Sequence, residues 1–280
     1  MKHLIFPMKF ITPAFIAGAD QNEPEIRSAS IRGAIRWWFR IVGGTKIEED
    51  EVFGFARKTN GASKVTIRVI NPKIINNDRD LPCPQNTIPG YLIYFAHVSG
   101  NDQGIARTKA RHYIGYDSTF TLEVLERYPI DIALWEKLTL AVKSFCVFGT
   151  LGLRETRGFG KVALQSPHSL SDVLMLAGEL YDRGVYLFKS KVQYSSASEA
   201  QGYLGDILKN VLRKQWPAKR ESALGSSTPR STSALQLCPV LTSDSGVVPF
   251  FLYTDNACGE ASLMPTLSSL LIANGFVNLK

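Results

Sequence analysis

The amino-acid sequence predicts an α+β fold of ferredoxin-like (RRM-like) βαββαβ domains, two in tandem with the second degenerate. Three observations carry that expectation. Alternating extended segments and apolar helical stripes succeed one another as strand, helix, strand, strand, helix, strand over residues 1–168. That order is the split βαβ pattern of an antiparallel sheet backed by two helices. A looser succession of the same segments fills residues 169–280, and 280 residues are enough to bury a core in each of two modest domains.

Lys2–Ile11 is apolar, rich in β-formers and stops at Thr12-Pro13, so it predicts the first strand. Gly18–Glu25 reads as a loop from its Gly, Asp, Asn and Pro content. Ser30 is a candidate cap for a helix that runs to Val42 and closes at Gly43-Gly44. Lys64–Ile70 alternates apolar and polar residues, as a half-buried strand does. Tyr91–Val98 and Thr119–Glu126 are further extended segments, so an additional hairpin is expected near residues 90–126. Ile132–Phe148 carries Ile132, Trp135, Leu138, Val142 and Phe145 as a helical stripe, and Phe159–Leu164 returns as a strand. Beyond it, Ser169–Tyr181 predicts a helix, Val185–Val192 a strand and Gly202–Gln215 a helix. A hairpin pairs Ala234–Leu241 with Val247–Tyr253, and Leu263–Asn274 is the last helix. The Ser-, Thr-, Pro- and Arg-rich segment Glu221–Ser233 reads as a mobile surface loop.

At 45% hydrophobic and 20% charged residues, the chain is globular rather than disordered or membrane-spanning. Its 32 Lys and Arg exceed its 25 Asp and Glu by 7, which favours polyanionic partners. Composition by itself does not separate RNA, DNA and an acidic protein surface. Cys83, Cys146, Cys238 and Cys258 are far apart, without a CxxC pair or a His at zinc-ligand spacing, so neither metal nor cofactor is expected. No secretory pattern opens the sequence, and Leu267–Ala273 is too short to cross a bilayer, so a cytoplasmic protein without a membrane partner is expected.

Two basic constellations stand out. In IRGAIRWWFRIV, Ile31, Ile35, Trp38, Phe39 and Val42 share one side of a helix, while Arg32, Arg36 and Arg40 stack along another. Gly33 removes side-chain bulk near the helix start, beside Arg27 and Ser30, where free N–H groups suit a phosphate. The arginines extend that site into a stripe able to follow a nucleic-acid backbone, and Trp37, at its border, is placed to stack on a base or to pack. The alternative is a plain amphipathic helix whose arginines are solvated or paired with Glu48, Glu49 and Asp50. The second constellation is GTLGLRETRGFGK, with Gly149, Gly152, Gly158 and Gly160 among Arg154, Arg157 and Lys161. Glycines admit close backbone approach to phosphates and the cations supply charge, with a purely structural glycine turn as the alternative. It is neither a P-loop, for no Gly-Lys-Ser/Thr closes it, nor a dinucleotide fingerprint, for it follows a helix and enters a strand.

The segments TPAFIAGADQ, EIRSASIRGAIRWWFR and EDEVFG resemble the start of the first Cmr-series subunits of type III-B CRISPR effector complexes. The glycine loop is similar to the one that marks the RAMP superfamily of RRM-like RNA binders. The resemblance covers residues 5–55 and 145–165 best. It implies two ferredoxin-like domains and a position capping the crRNA 3′ end, beside other RAMP subunits. It further implies contact with guide RNA and with the target RNA paired to it, without cleavage. Ser30, Arg32 and Gly33 match the family's Ser-basic-Gly step, and Arg36 and Arg40 its basic helix face. Gly152, Arg157, Gly158, Phe159 and Gly160 match its glycine loop, where Glu155 and Thr156 make this chain less basic than the pattern.

The rival reading is a RAMP endoribonuclease, which needs a base for the 2′-hydroxyl and an acid for the leaving oxygen. His3, His97, His112 and His168 are scattered; His112 beside Arg107, Lys109 and Arg111 is the best candidate, and otherwise that basic stretch is a further RNA contact. Asp20 lies in the loop after the first strand, roughly where backbone subunits of such complexes carry a cleavage aspartate. A basic protein–protein adaptor without an RNA role is the third class.

Overall fold

The computed structural model describes residues 1–20, 23–55, 61–77, 92, 98–102, 105–109, 112–216, 224–227, 230–231, 233–254 and 261–279. Its first frame contains β1 (His3–Phe10), α1 (Ser28–Ile41), α2 (Lys46–Phe53), β2 (Val65–Lys73), β3 (Thr119–Glu126), α3 (Ile132–Phe148) and β4 (Val162–Leu164). The sheet runs β2-β3-β1-β4, antiparallel throughout, with His3 opposite Leu125, Val65 opposite Glu126 and Met8 opposite Leu164. This is the strand order expected of the split βαβ pattern. The expected insertion is present as a hairpin of Val98–Asp102 with Ile105–Lys109, while most of the expected strand Tyr91–Val98 lies outside the described residues.

After α4 (Leu170–Tyr181), the second half repeats the frame. It contains β5 (Val185–Ser190), α5 (Ala197–Asp206), β6 (Leu235–Thr242), β7 (Gly246–Thr254), α6 (Met264–Ala273) and β8 (Phe276–Leu279). Its sheet runs β6-β7-β5-β8, the same order as in the first. The frame is complete, including β8, a four-residue strand that the sequence reading lacks. Helix α5 starts earlier than expected because Ser196 and Glu199 form a reciprocal capping box, and it runs on to Gln215 through a π-helical turn at Ile207–Leu212. The segment Glu221–Ser233 is not the expected mobile surface loop where it is described: Ser226–Ser227 pairs with Arg230–Ser231, and Leu224 and Ser233 are buried, so these ends of the segment belong to the core.

Each face of the two sheets has its own fate. On the first, Leu4, Phe6, Met8 and Phe10 of β1 point towards α1 and α3, and the intervening residues face outward. The second sheet is covered on both sides. Val185, Leu187, Val240, Val248 and Phe250 join the core that holds α1, α3 and α4, whereas Phe188, Leu237, Phe251 and Tyr253 pack with α5 and α6. The face that an isolated ferredoxin-like domain would leave open is therefore filled by helices from outside its frame. Helix α3 has buried residues all round, including Leu138, Ala141, Val142, Phe145, Cys146 and Phe148. Phe148 touches both halves, 6.4 Å from Trp38 and 6.1 Å from Phe250 between ring centroids. No helix among the described residues is long and apolar enough to cross a membrane.

A core shared in this way predicts one cooperative unfolding unit. Phe148→Ala should cost about 3–5 kcal/mol, with tryptophan fluorescence and far-ultraviolet circular dichroism moving together in a denaturant titration. Separate transitions for the two probes in the wild-type chain, or a loss under ~1 kcal/mol, would show that the halves are not joined through this residue.

Candidate nucleic-acid interface

Helix α1 begins two residues before the expected cap. Arg27 takes the N-cap position with extended backbone and no side-chain cap bond, so Ser30 lies inside the first turn. Ile26 and Ile31 flank that start at hydrophobic-staple spacing, and both are buried in the same core. The Ser28 hydroxyl accepts a bond from the Val69 N–H at 3.2 Å, which ties the helix start to β2.

The arginine stripe exists, and it faces α2. Thr45 caps α2, and its capping box with Glu48 is the signal that would have found this helix in the sequence. Lys137 of α3 holds Glu48 at 2.6 Å and so fixes α2 against the bundle. Glu49 is 1% exposed and receives Arg36 at 2.6 Å and Arg40 at 3.0 Å. The paired-arginine alternative is thus realised for Arg36 and Arg40, with Glu49 as the partner. Burial pushes the Glu49 carboxyl up, but the bonds and charges of Arg36 and Arg40 outweigh it and hold it below its ordinary value. Arg32 donates to the Phe53 carbonyl oxygen, and burial together with the Arg36 charge lowers its pKa.

Between these helices lies an open groove of about 570 Å³, lined by Arg32, Arg36, Lys46, Asp50, Phe53–Phe55, Gly61 and Ser63. Four cations, counting Arg40, meet two carboxylates, Glu49 and Asp50, so the ion pairing leaves a local positive excess. Lys46 is a member that the sequence reading missed, and Glu49 is the one of the three named acids that the arginines take.

Gly33 sits on the exposed arc of α1 between this stripe and half-buried Trp37. A Cβ placed there would meet no described atom within 4 Å. The chain's own packing therefore makes no use of the missing side chain, although glycine in a helix costs about 0.8–1 kcal/mol relative to alanine.

The glycine loop has the opposite character. A Cβ at Gly160 would stand 1.8 Å from the Leu151 carbonyl oxygen, and one at Gly152 would stand 2.6 Å from the Phe15 carbonyl oxygen; both glycines have positive φ. These residues let the loop pack on the segment that follows β1, where Leu153 N–H donates to Phe15 O and Gly160 N–H to Pro13 O. Three residues of this loop expected at an RNA surface are inside the protein. Lys161 is fully buried, and its ammonium donates to the carbonyl oxygens of Val147, Gly149 and Val162 at 2.6–3.1 Å. Phe159 is 1% exposed and packs 5.9 Å from Phe15. Arg157 is 8% exposed and donates to Leu224 O at 2.8 Å, while Gln201 donates to its carbonyl oxygen. Gly158 and Gly160 are buried as well, which leaves exposed Gly152 and half-buried Arg154 as the accessible part of the predicted set. The stripe packs on α2 and the loop on the β1–α1 connection, so their expected convergence on one backbone narrows to the stripe with these two residues.

The open sheet face carries His3, Ile5 and Pro7 of β1, Thr121, Glu123 and Leu125 of β3, and Thr66, Arg68 and Ile70 of β2. No Phe, Tyr or Trp stands among these residues, and the His3 imidazole, the one aromatic ring named here, is bonded to Glu123, so base stacking of the RRM type has little platform on these strands. Glu123 instead takes His3 at 2.9 Å and Arg68 at 3.5 Å. Asp20 is exposed after β1, and His168 is exposed with its carbonyl oxygen bonded by Ser243 N–H. Arg107 and Lys109 lie on the inserted hairpin, His112 follows it half-buried, and Arg111 and His97 lie outside the described residues.

The family model of the RAMP superfamily matches residues 8–163. Among curated relatives, the CRISPR system Cmr subunit Cmr1-2 of Pyrococcus furiosus is 39% identical over 77 residues, covering 24% of this chain and 40% of the relative. Subunit Cmr1-1 of the same organism is 28% identical over 186 residues, covering 60% and 50%. The chain spans about half the length of the curated relatives it matches. Among solved structures, apo Cmr1 from Pyrococcus furiosus aligns over 100% of this chain and 99% of its own, with a TM-score of 0.67 at 18% identity. A chain of the type III-B Cmr-beta complex bound to cognate target RNA and AMPPnP in the presence of ssDNA aligns over 96% and 98%, at 0.57 and 11%. At these identities the structural matches establish a shared fold.

Glu49 supplies the test of the site's electrostatics. Its lowered folded pKa means that its contribution is present above the ordinary value of 4.5 and is lost as the pH falls through the folded value. Glu49→Gln should cost about 1.5–3 kcal/mol at neutral pH and flatten the acid limb of a melting-temperature profile. An unchanged acid limb would remove Glu49 from the account.

Proposed function

Because this chain belongs to the RAMP superfamily, we propose that it is a non-catalytic RNA-binding subunit of a type III-B CRISPR effector complex. Its place there is at the crRNA 3′ end, in contact with guide RNA and with target RNA paired to it, beside other RAMP subunits. The resemblance of the first sixty residues and the names of the curated relatives support this assignment. The observation that carries the RNA-binding part is the exposed, unopposed Gly33 set among Arg27, Arg32, Arg36 and Arg40. A bare patch of helix backbone ringed by cations suits a polyanion that must come close, and a sugar–phosphate chain is one. Gly152 and Arg154 extend the surface. The absence of catalysis is part of the proposal: it assigns neither Asp20 nor the histidines a chemical step.

The test turns on a substitution with two effects of opposite sign. Gly33→Ala should stabilise the chain by about 0.8–1 kcal/mol while weakening its affinity for single-stranded RNA, read by fluorescence anisotropy. The wild-type affinity should fall steeply with salt, by ~0.7 in logarithmic slope for each phosphate contacted. A salt-independent interaction would favour the protein–protein adaptor. RNA cleavage by the wild-type chain that is lost in Asp20→Ala or His112→Ala would favour the endoribonuclease.

A further inference from the structure

The groove between α1 and α2 differs from the arginine stripe in what it encloses. The stripe is one helix face, whereas the groove is an open concavity to which two helices contribute. Arg32 and Arg36 line it from α1 and Lys46 from α2, with Phe53–Phe55, Gly61 and Ser63 completing the lining. Arg36 is steadied on one side by Glu49 and on the other by the Phe53 ring, 5.9 Å from its guanidinium carbon. Phe55 is half-buried; its backbone exchanges both hydrogen bonds with Gly61, and its ring occupies the space a Cβ at Gly61 would need. One cleft thus offers three cations for an anion and a fixed aromatic ring, while the Ser63 hydroxyl is spent on the carbonyl oxygens of Val52 and Val65. Its volume of about 570 Å³ falls within the range of small-ligand sites.

We infer that this groove receives one nucleotide unit of single-stranded RNA, its phosphate on Arg32, Arg36 and Lys46 and its base against Phe55. The inference rests on the RNA-binding reading above and goes beyond it. It assigns roles to Lys46 and Phe55, and it makes α2, absent from the sequence-level picture, half of the site. A flat basic stripe would bind any polyanion, including a duplex. A groove with an aromatic end selects an unpaired nucleotide, because a base already stacked in a duplex cannot also stack on Phe55. Lys46 brings its charge from α2, where Asp50 holds it at 2.7 Å, and Arg32 from α1, so a phosphate bound here is shared by the two helices.

The experiment uses the full chain and a fluorescein-labelled ten-nucleotide single-stranded RNA, titrated at several salt concentrations, with unlabelled duplex RNA of the same sequence as competitor. Lys46→Ala should lower the logarithmic salt slope by ~0.7. Phe55→Leu should weaken binding by roughly tenfold, the value of one stacked base, with little change in slope. Arg68→Ala, on the open sheet face, should bind as the wild type does, and the duplex should compete poorly. Thermal melts accompany each variant; if Phe55→Leu fails to fold, Lys46→Ala and the duplex arm decide. Normal binding by Lys46→Ala, or duplex competition equal to that of the single strand, overturns this inference and leaves the RNA-binding reading standing. Failure of the wild-type chain to bind RNA at low salt overturns both.

Discussion

The position of α3 between the two sheets governs the rest of the molecule. Helix α3 belongs to the first frame, yet its far side fills the face of the second sheet, with Phe148 reaching from Trp38 to Phe250. Both sheets have the same strand order, but only the first keeps a face towards solvent. Removing large rings from such a place costs several kcal/mol because the cavity cannot collapse between two stiff sheets. One consequence is functional. The second frame has given up the surface that RRM-like domains use for bases, and the first presents Ile5, Pro7, Thr121 and Leu125 there around the Glu123 ion pairs. The proposed RNA surface accordingly lies at the edge, on the outer arc of α1 and in its groove with α2.

Two glycine-bearing basic motifs look alike in the sequence, and packing separates them. Gly152 and Gly160 leave no room for a side chain because other backbone occupies the space, so the loop's glycines serve its close fit against residues 12–16. Lys161 follows the same logic: its three ammonium protons meet three carbonyl oxygens, which allows a charge to lie in the core. Gly33 has open space instead. A residue that costs helix stability and relieves no clash with the described residues fits the proposed contact with RNA.

Much of the frame was legible because periodicity is a local property. Helix α3, strands β1 and β3 and the β6–β7 hairpin appear near the segments whose alternation or stripe announced them. Helix α2 was not legible from hydrophobicity, because KIEEDEVF has almost no apolar face and its evidence lies in the Thr45–Glu48 box. Strand β8, at four residues, is too short to show a period. The basic residues of the glycine loop were misplaced for a different reason. Arginine and lysine beside glycine read the same whether their donors meet phosphate or carbonyl oxygens, and that choice is made by residues as distant as Leu224. The stripe on α1 was visible, while its neutralising partner Glu49 was one of three acids that the sequence could not rank.

The central claim is that RNA meets this chain along the outer arc of α1 and its groove with α2, and not on a sheet face or the buried glycine loop. Amide hydrogen exchange of the full chain, with and without saturating single-stranded RNA, tests it most directly, since protection maps contact without altering a residue. The account predicts added protection across residues 27–36 and 45–55, with β1 and β3 unchanged. Protection concentrated on β1 and β3, with 27–36 unaffected, would contradict it.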